Sequence, residues 1–294
     1  MFFLREVFHV SFPALGIENL EISRTAFELS IFGKSFPVYW YGIGYALGFG
    51  LCLYLALRHA ERYGLKKEQL TDAYLALMLL GLLGGRLYYV LFSLDNYRDN
   101  WLSIFNFRDG GMGFYGGVIG GIIALILAAK KQNKAVSVYL DYFAVYLPLG
   151  QAIGRWGNFF NQEAFGGNTE LPWGMISEGT RSYLAKLGPP YNPAQPVHPT
   201  FLYEFLGNML IFIVLLKLRP KLFGKRPYSL LCSYLLGYGL LRFVVEGLRT
   251  DSLYIWHSNI RVSQALSLVM VIASAAVLYW IFRRQERQPT ETEV

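Results

Sequence analysis

The sequence predicts an all-α polytopic membrane protein of about seven transmembrane helices with a small outward-facing lobe. Three observations point to that class. Apolar stretches holding one charge or none recur along the 294-residue chain, and at ~1.5 Å per residue roughly 20 such residues cross the ~30 Å hydrocarbon layer. Hydrophobic residues make up 54% and charged residues 16% of the chain, with a mean hydropathy of +0.32; soluble domains usually carry about a quarter charged residues. Aromatic residues reach 17% and gather at the ends of the apolar stretches, where amphipathic rings favour the headgroup layer.

The spans are predicted near 39–59, 72–93, 112–130, 138–157, 200–217, 229–247 and 262–282, within one integral membrane domain over 1–294. The first opens on Trp40-Tyr41-Gly42 and closes on Arg58-His59. The second carries Gly84-Gly85-Arg86, and the third follows a glycine-rich run and closes on Lys130-Lys131. The fourth is the least apolar, interrupted by Asp141, Gln151 and Arg155. The fifth starts behind His198-Pro199, the sixth holds Tyr238, Arg242 and Glu246, and the seventh runs into Arg283-Arg284. Alternate connections are rich in base: Arg58, Arg62, Lys66 and Lys67; Lys130, Lys131 and Lys134; Lys217, Arg219, Lys221, Lys225 and Arg226; and the tail with Arg287. Short basic loops stay in the cytoplasm, so the amino terminus is expected outside and the carboxyl terminus inside.

The longest connection, 158–199, then forms the outward lobe; Trp173 and the run Pro189, Pro190, Pro193, Pro196 and Pro199 suit an ordered cap better than a linker. Residues 284–294 read as a disordered polar tail. Residues 1–37 mix Arg5, Glu18 and Glu21 into apolar sequence with no cleavable signal pattern, which leaves export to the first span. The net charge of +7 is accounted for by helix-flanking basic residues and gives no ground for nucleic acid. Cys52 and Cys232 lie inside apolar stretches and have neither disulfide nor metal spacing.

Ionisable residues inside a bilayer are costly and mark a site by default. Arg86, Arg155 and Arg242 all fall in the outer halves of their spans, Arg86 about seven residues, or ~10 Å, from the outer end. In the sixth span Tyr238, Arg242, Glu246 and Arg249 recur at spacings of four, four and three, which lines them along one helical face. Glu246 can pair there with Arg242 or Arg249. The run from Gly154 to Glu163 adds Arg155, Asn158, Asn161, Gln162 and Glu163 at a membrane exit, a set of donors suited to an anionic oxygen.

The stretch Asp109 to Gly117 leads into the third span; its pairs Gly116/Gly120 and Gly117/Gly121 serve helix packing or a site, and Gly84-Gly85 has the same two readings. Gly44/Gly48 reads as packing. Among the histidines, His198 stands where the lobe re-enters the membrane, either as a titratable group or as a helix-start hydrogen bond; His9, His59 and His257 read as loop or interface residues. There is no Gly-x-Ser-x-Gly, His-Glu-x-x-His, Cys-x-x-Cys or phosphate-loop signature, so no metal or other cofactor is expected.

These residues resemble the bacterial prolipoprotein diacylglyceryl transferase family. The motifs follow the family's order: Trp40-Tyr41-Gly42; Leu83-Gly84-Gly85-Arg86; Asp109-Gly110-Gly111-Met112; Gly154-Arg155-Trp156-Gly157-Asn158-Phe159-Phe160-Asn161 through Gly166; His198-Pro199 through Tyr203-Glu204; and Gly237-Tyr238-Gly239 through Arg242 and Glu246. The resemblance implies transfer of the diacylglyceryl group of phosphatidylglycerol to the thiol of a prolipoprotein's lipobox cysteine, with glycerol 1-phosphate released. It implies a bacterial plasma-membrane location and these two substrates as partners.

By the same resemblance Arg155 and Arg242 hold phosphate and stabilise leaving-group charge. Tyr41, Asn158, Glu163 and Gly166 belong to the same cavity, and Arg86, Tyr238 and Glu246 orient or balance the clamp. One departure stands out: Tyr115 occupies a place where a family member has histidine, and a tyrosine ionising near ~10 is a poor base at neutral pH. Tyr115, Glu163 and His198 therefore all stand as candidate bases. The alternative reading is an anion-binding transporter, although no internal repeat is visible and the charges lie off-centre.

Overall fold

The computed structural model describes residues 7–98, 100–107, 110–255 and 258–286. In chain order its elements are strands β1 (Val7–Phe12), β2 (Ile17–Ser23), β3 (Thr25–Ile31) and β4 (Lys34–Tyr39), then helices α1 (Trp40–His59), α2 (Lys67–Leu91), α3 (Phe114–Lys131), α4 (Val136–Ala144) and α5 (Leu147–Asn161). Strand β5 (Ile176–Ser177) follows, and then α6 (Glu178–Leu187), α7 (Thr200–Leu222), α8 (Ser229–Leu248) and α9 (Val262–Glu286). Six of these helices, α1, α2, α3, α7, α8 and α9, are long and apolar enough to cross a membrane. The chain is a mostly helical, multi-pass membrane protein.

The predicted fourth span is built as two helices, α4 and α5, each shorter than a bilayer needs. Pro148 lies in the first turn of α5, where its missing N–H is tolerated. In one continuous helix the same proline would remove a hydrogen bond and clash with the preceding turn. Helix α9 runs to Glu286, into the stretch predicted as a disordered tail; the remainder of that stretch, with Asp109 and His257, lies outside the described residues.

The first of two compact units comprises Met1–Cys52, Val145–Arg219 and Cys232–Val294. In it β1 pairs antiparallel with β2 and with β5, giving a three-stranded sheet in the order β2-β1-β5. Helix α6 is held to this sheet by a capping box, in which the Ser177 hydroxyl accepts from Thr180 N–H while Thr180 Oγ1 accepts from Ser177 N–H. The core beneath is Val10, Ile22, Phe159, Phe165, Met175, Leu184, Val197 and Phe201, all buried. Burying each large apolar side chain contributes roughly 1.5–3 kcal/mol. Two members of this core position the site. Phe159 lies four residues after Arg155 on α5 and Phe201 three residues before Glu204 on α7, so packing the lobe fixes the rotation of both helices.

The second unit comprises Leu53–Ala144 and Pro220–Leu231. Helices α2 and α3 cross at backbone contact: a Cβ at Gly116 would lie 2.2 Å from Gly84 O, and one at Gly120 would lie 2.0 Å from Leu80 O. These glycines are packing residues. At the end of α2, Arg86 is 6% exposed and donates to four carbonyls: Ile104 O (2.7 Å), Ser103 O (2.8 Å), Gly110 O (2.6 Å) and Gly111 O (3.0 Å). Tyr97 and Phe107 flank its guanidinium, with ring centroids 5.5 and 5.6 Å away. Asp141, buried on α4, accepts from Leu231 N–H at 2.8 Å and from the N–H groups of Tyr228 and Leu230, thereby satisfying the start of α8.

Candidate active site

The first unit brings a chain of alternating charges together at the facing ends of α5, α7 and α8. Glu204, on the second turn of α7, is 2% exposed and serves two arginines. Its Oε2 forms an ion pair with Arg155 Nε at 2.8 Å, and its Oε1 accepts from Arg242 Nη1 at 2.8 Å. Arg242 Nη2 then donates to Glu246 Oε2 at 2.5 Å, one turn further along α8. Sequence spacing left Glu246 free to pair with either neighbour, and it pairs with Arg242. Arg249 instead makes a two-point contact with Asp251, Nε to Oδ1 at 2.8 Å and Nη2 to Oδ2 at 2.6 Å. Burial works to lower the basicity of Arg249, and the carboxylates of Asp251, Glu204 and Glu246 together more than offset it, so its pKa is raised.

The electrostatic arrangement is directional. Both carboxylates are shut away from solvent, while the side chains of Arg155 and Arg242 keep 22% and 16% exposure. A buried carboxylate without a cation would be prohibitive, and here each is paired. The open edge of the network is therefore its cationic edge. Arg155 commits only Nε to an ion pair among the described residues, which leaves its terminal nitrogens to that edge.

The surroundings hold these groups in place. Tyr41, second residue of α1, lies against Gly157 so closely that a Cβ there would sit 2.0 Å from its Cδ2; glycine is required for α1 and α5 to approach. Its hydroxyl is 3.1 Å from that of Tyr45, and the charges of Glu163 and Arg155 both act on it. Trp40 stacks on Phe160 at 5.2 Å. The Glu163 carboxylate accepts from Asn158 Nδ2 at 3.0 Å and Asn161 Nδ2 at 3.2 Å. Tyr238 stacks on Tyr234, centroids 5.7 Å apart, and Tyr234 OH accepts from Gln151 at 2.9 Å. Arg261, at the start of α9, donates to Glu246 O and fastens the last turn of α8.

Gly166 is a crossing point rather than a donor to open space. Its N–H donates to His198 O at 2.9 Å, Gly167 N–H donates to Leu248 O at 2.9 Å, and a Cβ at Gly166 would meet His198 Cβ at 2.7 Å. The His198 ring has Nδ1 3.1 Å from Tyr203 OH, which in turn accepts from Trp173 Nε1 at 2.8 Å. Partial burial lowers the His198 pKa, which keeps the imidazole neutral at neutral pH. Cys52 and Cys232 are buried and form no disulfide among the described residues, and His9 pairs with Glu178 at 2.9 Å.

The structure thus brings Arg155, Arg242 and Glu246 into one network, with Asn158, Glu163, Tyr41, Tyr238, Gly166 and His198 in the same unit. Arg86 and Tyr115 belong to the second unit. Arg86 spends its donors on the loop it holds, and Tyr115, in the first turn of α3 beside Tyr88, is 42% exposed. Sequence reading placed Glu204 in the motif that follows His198-Pro199 but gave it no role, and it is the centre of the network. Its signal was the one carboxylate of that helix, at its fifth residue and ahead of a long apolar run.

A family model described as prolipoprotein diacylglyceryl transferase matches residues 28–280. Relatives named phosphatidylglycerol–prolipoprotein diacylglyceryl transferase include one from Enterococcus faecalis, 42% identical over 90% of this chain and 92% of its own length. One from Finegoldia magna is 41% identical over 86% of this chain and 93% of its own, and one from Clostridioides difficile is 37% identical over 92% and 100%.

Proposed function

The chain belongs to the prolipoprotein diacylglyceryl transferase family, and on that premise we propose that it moves the diacylglyceryl group of phosphatidylglycerol onto the lipobox cysteine thiol of a prolipoprotein. The sulfur attacks the glyceryl carbon that carries the phosphate, that C–O bond breaks, and glycerol 1-phosphate leaves. The one observation that carries this reading is the Arg155–Glu204–Arg242–Glu246 chain, with its carboxylates buried and its guanidiniums open.

Charge on the phosphate grows from one negative to two as the bond breaks. Cations fixed beside it are therefore worth more in the transition state than in the bound lipid, which is the requirement for a faster reaction. Glu204 holds Arg155 and Arg242 on its two oxygens and sets their spacing, and Glu246 does the same for the second nitrogen of Arg242. Bidentate guanidinium contacts suit a phosphodiester better than ammonium groups would. Asn158, Tyr41 and Tyr238 shape the headgroup pocket, Gly166 keeps the lobe against the end of α8, and Glu163 and His198, with Tyr115, are the candidate acceptors of the thiol proton. The site works from the outer leaflet of the bacterial plasma membrane, with the amino terminus and the 158–199 lobe outside, and no metal or other cofactor enters the reaction.

The test is direct. Purified protein in phosphatidylglycerol vesicles, given a lipobox peptide, is expected to yield thioether-linked peptide and glycerol phosphate in equal amounts. Solute flux with no lipid turnover would instead establish a transporter.

A further inference from the structure

We propose that the β3–β4 hairpin is an interfacial anchor that lies along the headgroup layer, with its apolar face and its tip, Phe32, set into the acyl boundary. The hairpin is two-faced. Cross-strand partners Phe27 and Val38, and Leu29 and Phe36, share one face, while Glu28 and Pro37, and Ser30 and Ser35, share the other. The polar face closes on itself through a hydrogen bond from Ser35 Oγ to Glu28 Oε2 at 2.6 Å. None of the hairpin's described side chains is buried, and Phe27 and Leu29 are each 46% exposed. A two-stranded hairpin is marginal in water on its own, so an uncovered apolar face calls for a partner.

Continuity identifies that partner. Strand β4 ends at Tyr39 and the membrane-crossing helix α1 begins at Trp40 with no linker between them. Trp40 N–H donates to Arg24 O at 3.2 Å, which ties both ends of the hairpin to the start of α1. The hairpin therefore starts at the bilayer surface. Its six-residue strand β4 extends about 20 Å at ~3.3 Å per residue. Standing upright, it would carry its aromatic face into water; lying flat, it buries that face in lipid and leaves Glu28, Ser30 and Ser35 wet.

The turn strengthens the case. Ile31 pairs with Lys34, and the two central residues, Phe32 and Gly33, both have positive φ (50° and 73°). That is the two-residue turn that Asn-Gly serves best, and a bulky ring at the first position is disfavoured. The disfavoured residue is also the most exposed aromatic residue among the described residues, at 102%. A strained position that holds an aromatic group outward is explained by what the ring reaches.

The test uses the full chain with Cys52→Ala and Cys232→Ala, carrying Leu29→Cys or Ser30→Cys with a nitroxide label, in phosphatidylcholine–phosphatidylglycerol vesicles. Collision with oxygen, which concentrates in lipid, is compared with collision with a water-soluble nickel chelate. The label at 29 is expected to favour oxygen several-fold more than the label at 30. Adding Phe32→Asn, which suits the turn and so preserves the hairpin, is expected to shift the label at 29 towards nickel. Equal and high nickel access at 29 and 30 would overturn the proposal, as would two equally nickel-shielded labels or a Phe32→Asn change with no shift. None of these outcomes depends on transferase activity.

Discussion

Glu204 carries two guanidiniums on one carboxylate, which makes its neutral isostere more informative than a truncation. Glu204→Gln preserves the shape of the side chain but leaves Arg155 and Arg242 partly buried without their shared counter-charge. Breaking such a pair costs about 3–5 kcal/mol, so a marked drop in thermal midpoint in detergent is expected together with loss of transfer. The proton acceptor is open to a pH profile. Because burial lowers the His198 pKa, His198 as acceptor puts the rise of kcat/KM below about pH 6.5 and leaves a plateau through neutrality. His198→Gln is then expected to lower kcat and to remove that limb. A profile with no limb below about pH 6.5 would rule His198 out as that acceptor. At this scale Arg155 and Arg242 were legible because a charge among apolar residues needs a reason. Glu204 was less so, because its meaning lies in partners 49 and 38 positions away.

Helix packing was legible as a motif but not in its detail. Gly116/Gly120 and Gly117/Gly121 look alike in sequence, yet only the first pair lies too close to the α2 backbone to admit a Cβ. Gly116→Ala would place a methyl 2.2 Å from Gly84 O, whereas Gly117→Ala would meet Gly81 O at an ordinary 3.5 Å. Overpacking of this kind typically costs about 1–3 kcal/mol, so the first variant is expected to unfold at lower temperature and the second to match the parent. Equal midpoints would mean that the two helices are not held by that contact. The divided fourth span had a visible cause in Pro148, masked by the apolar residues around it. The strands had the weakest signal: segments of six or seven residues with alternating side chains are lost beside spans of twenty.

For the molecule as a whole, the apolar runs supplied the membrane class and six crossing helices, since length and hydropathy alone decide whether a helix can span. What periodicity could not supply was the way the lobe core reaches down, through Phe159 and Phe201, to set the helices that carry the charges. The account's central claim is that Arg155 and Arg242, spaced by Glu204, hold one phosphate. The most direct measurement is glycerol phosphate release from phosphatidylglycerol vesicles with a lipobox peptide, for the parent chain, Arg155→Ala and Arg242→Ala, each at matched folded concentration. The expected result is that each substitution lowers kcat/KM by about 10²-fold or more. Release at the parent rate from either folded variant would contradict the account.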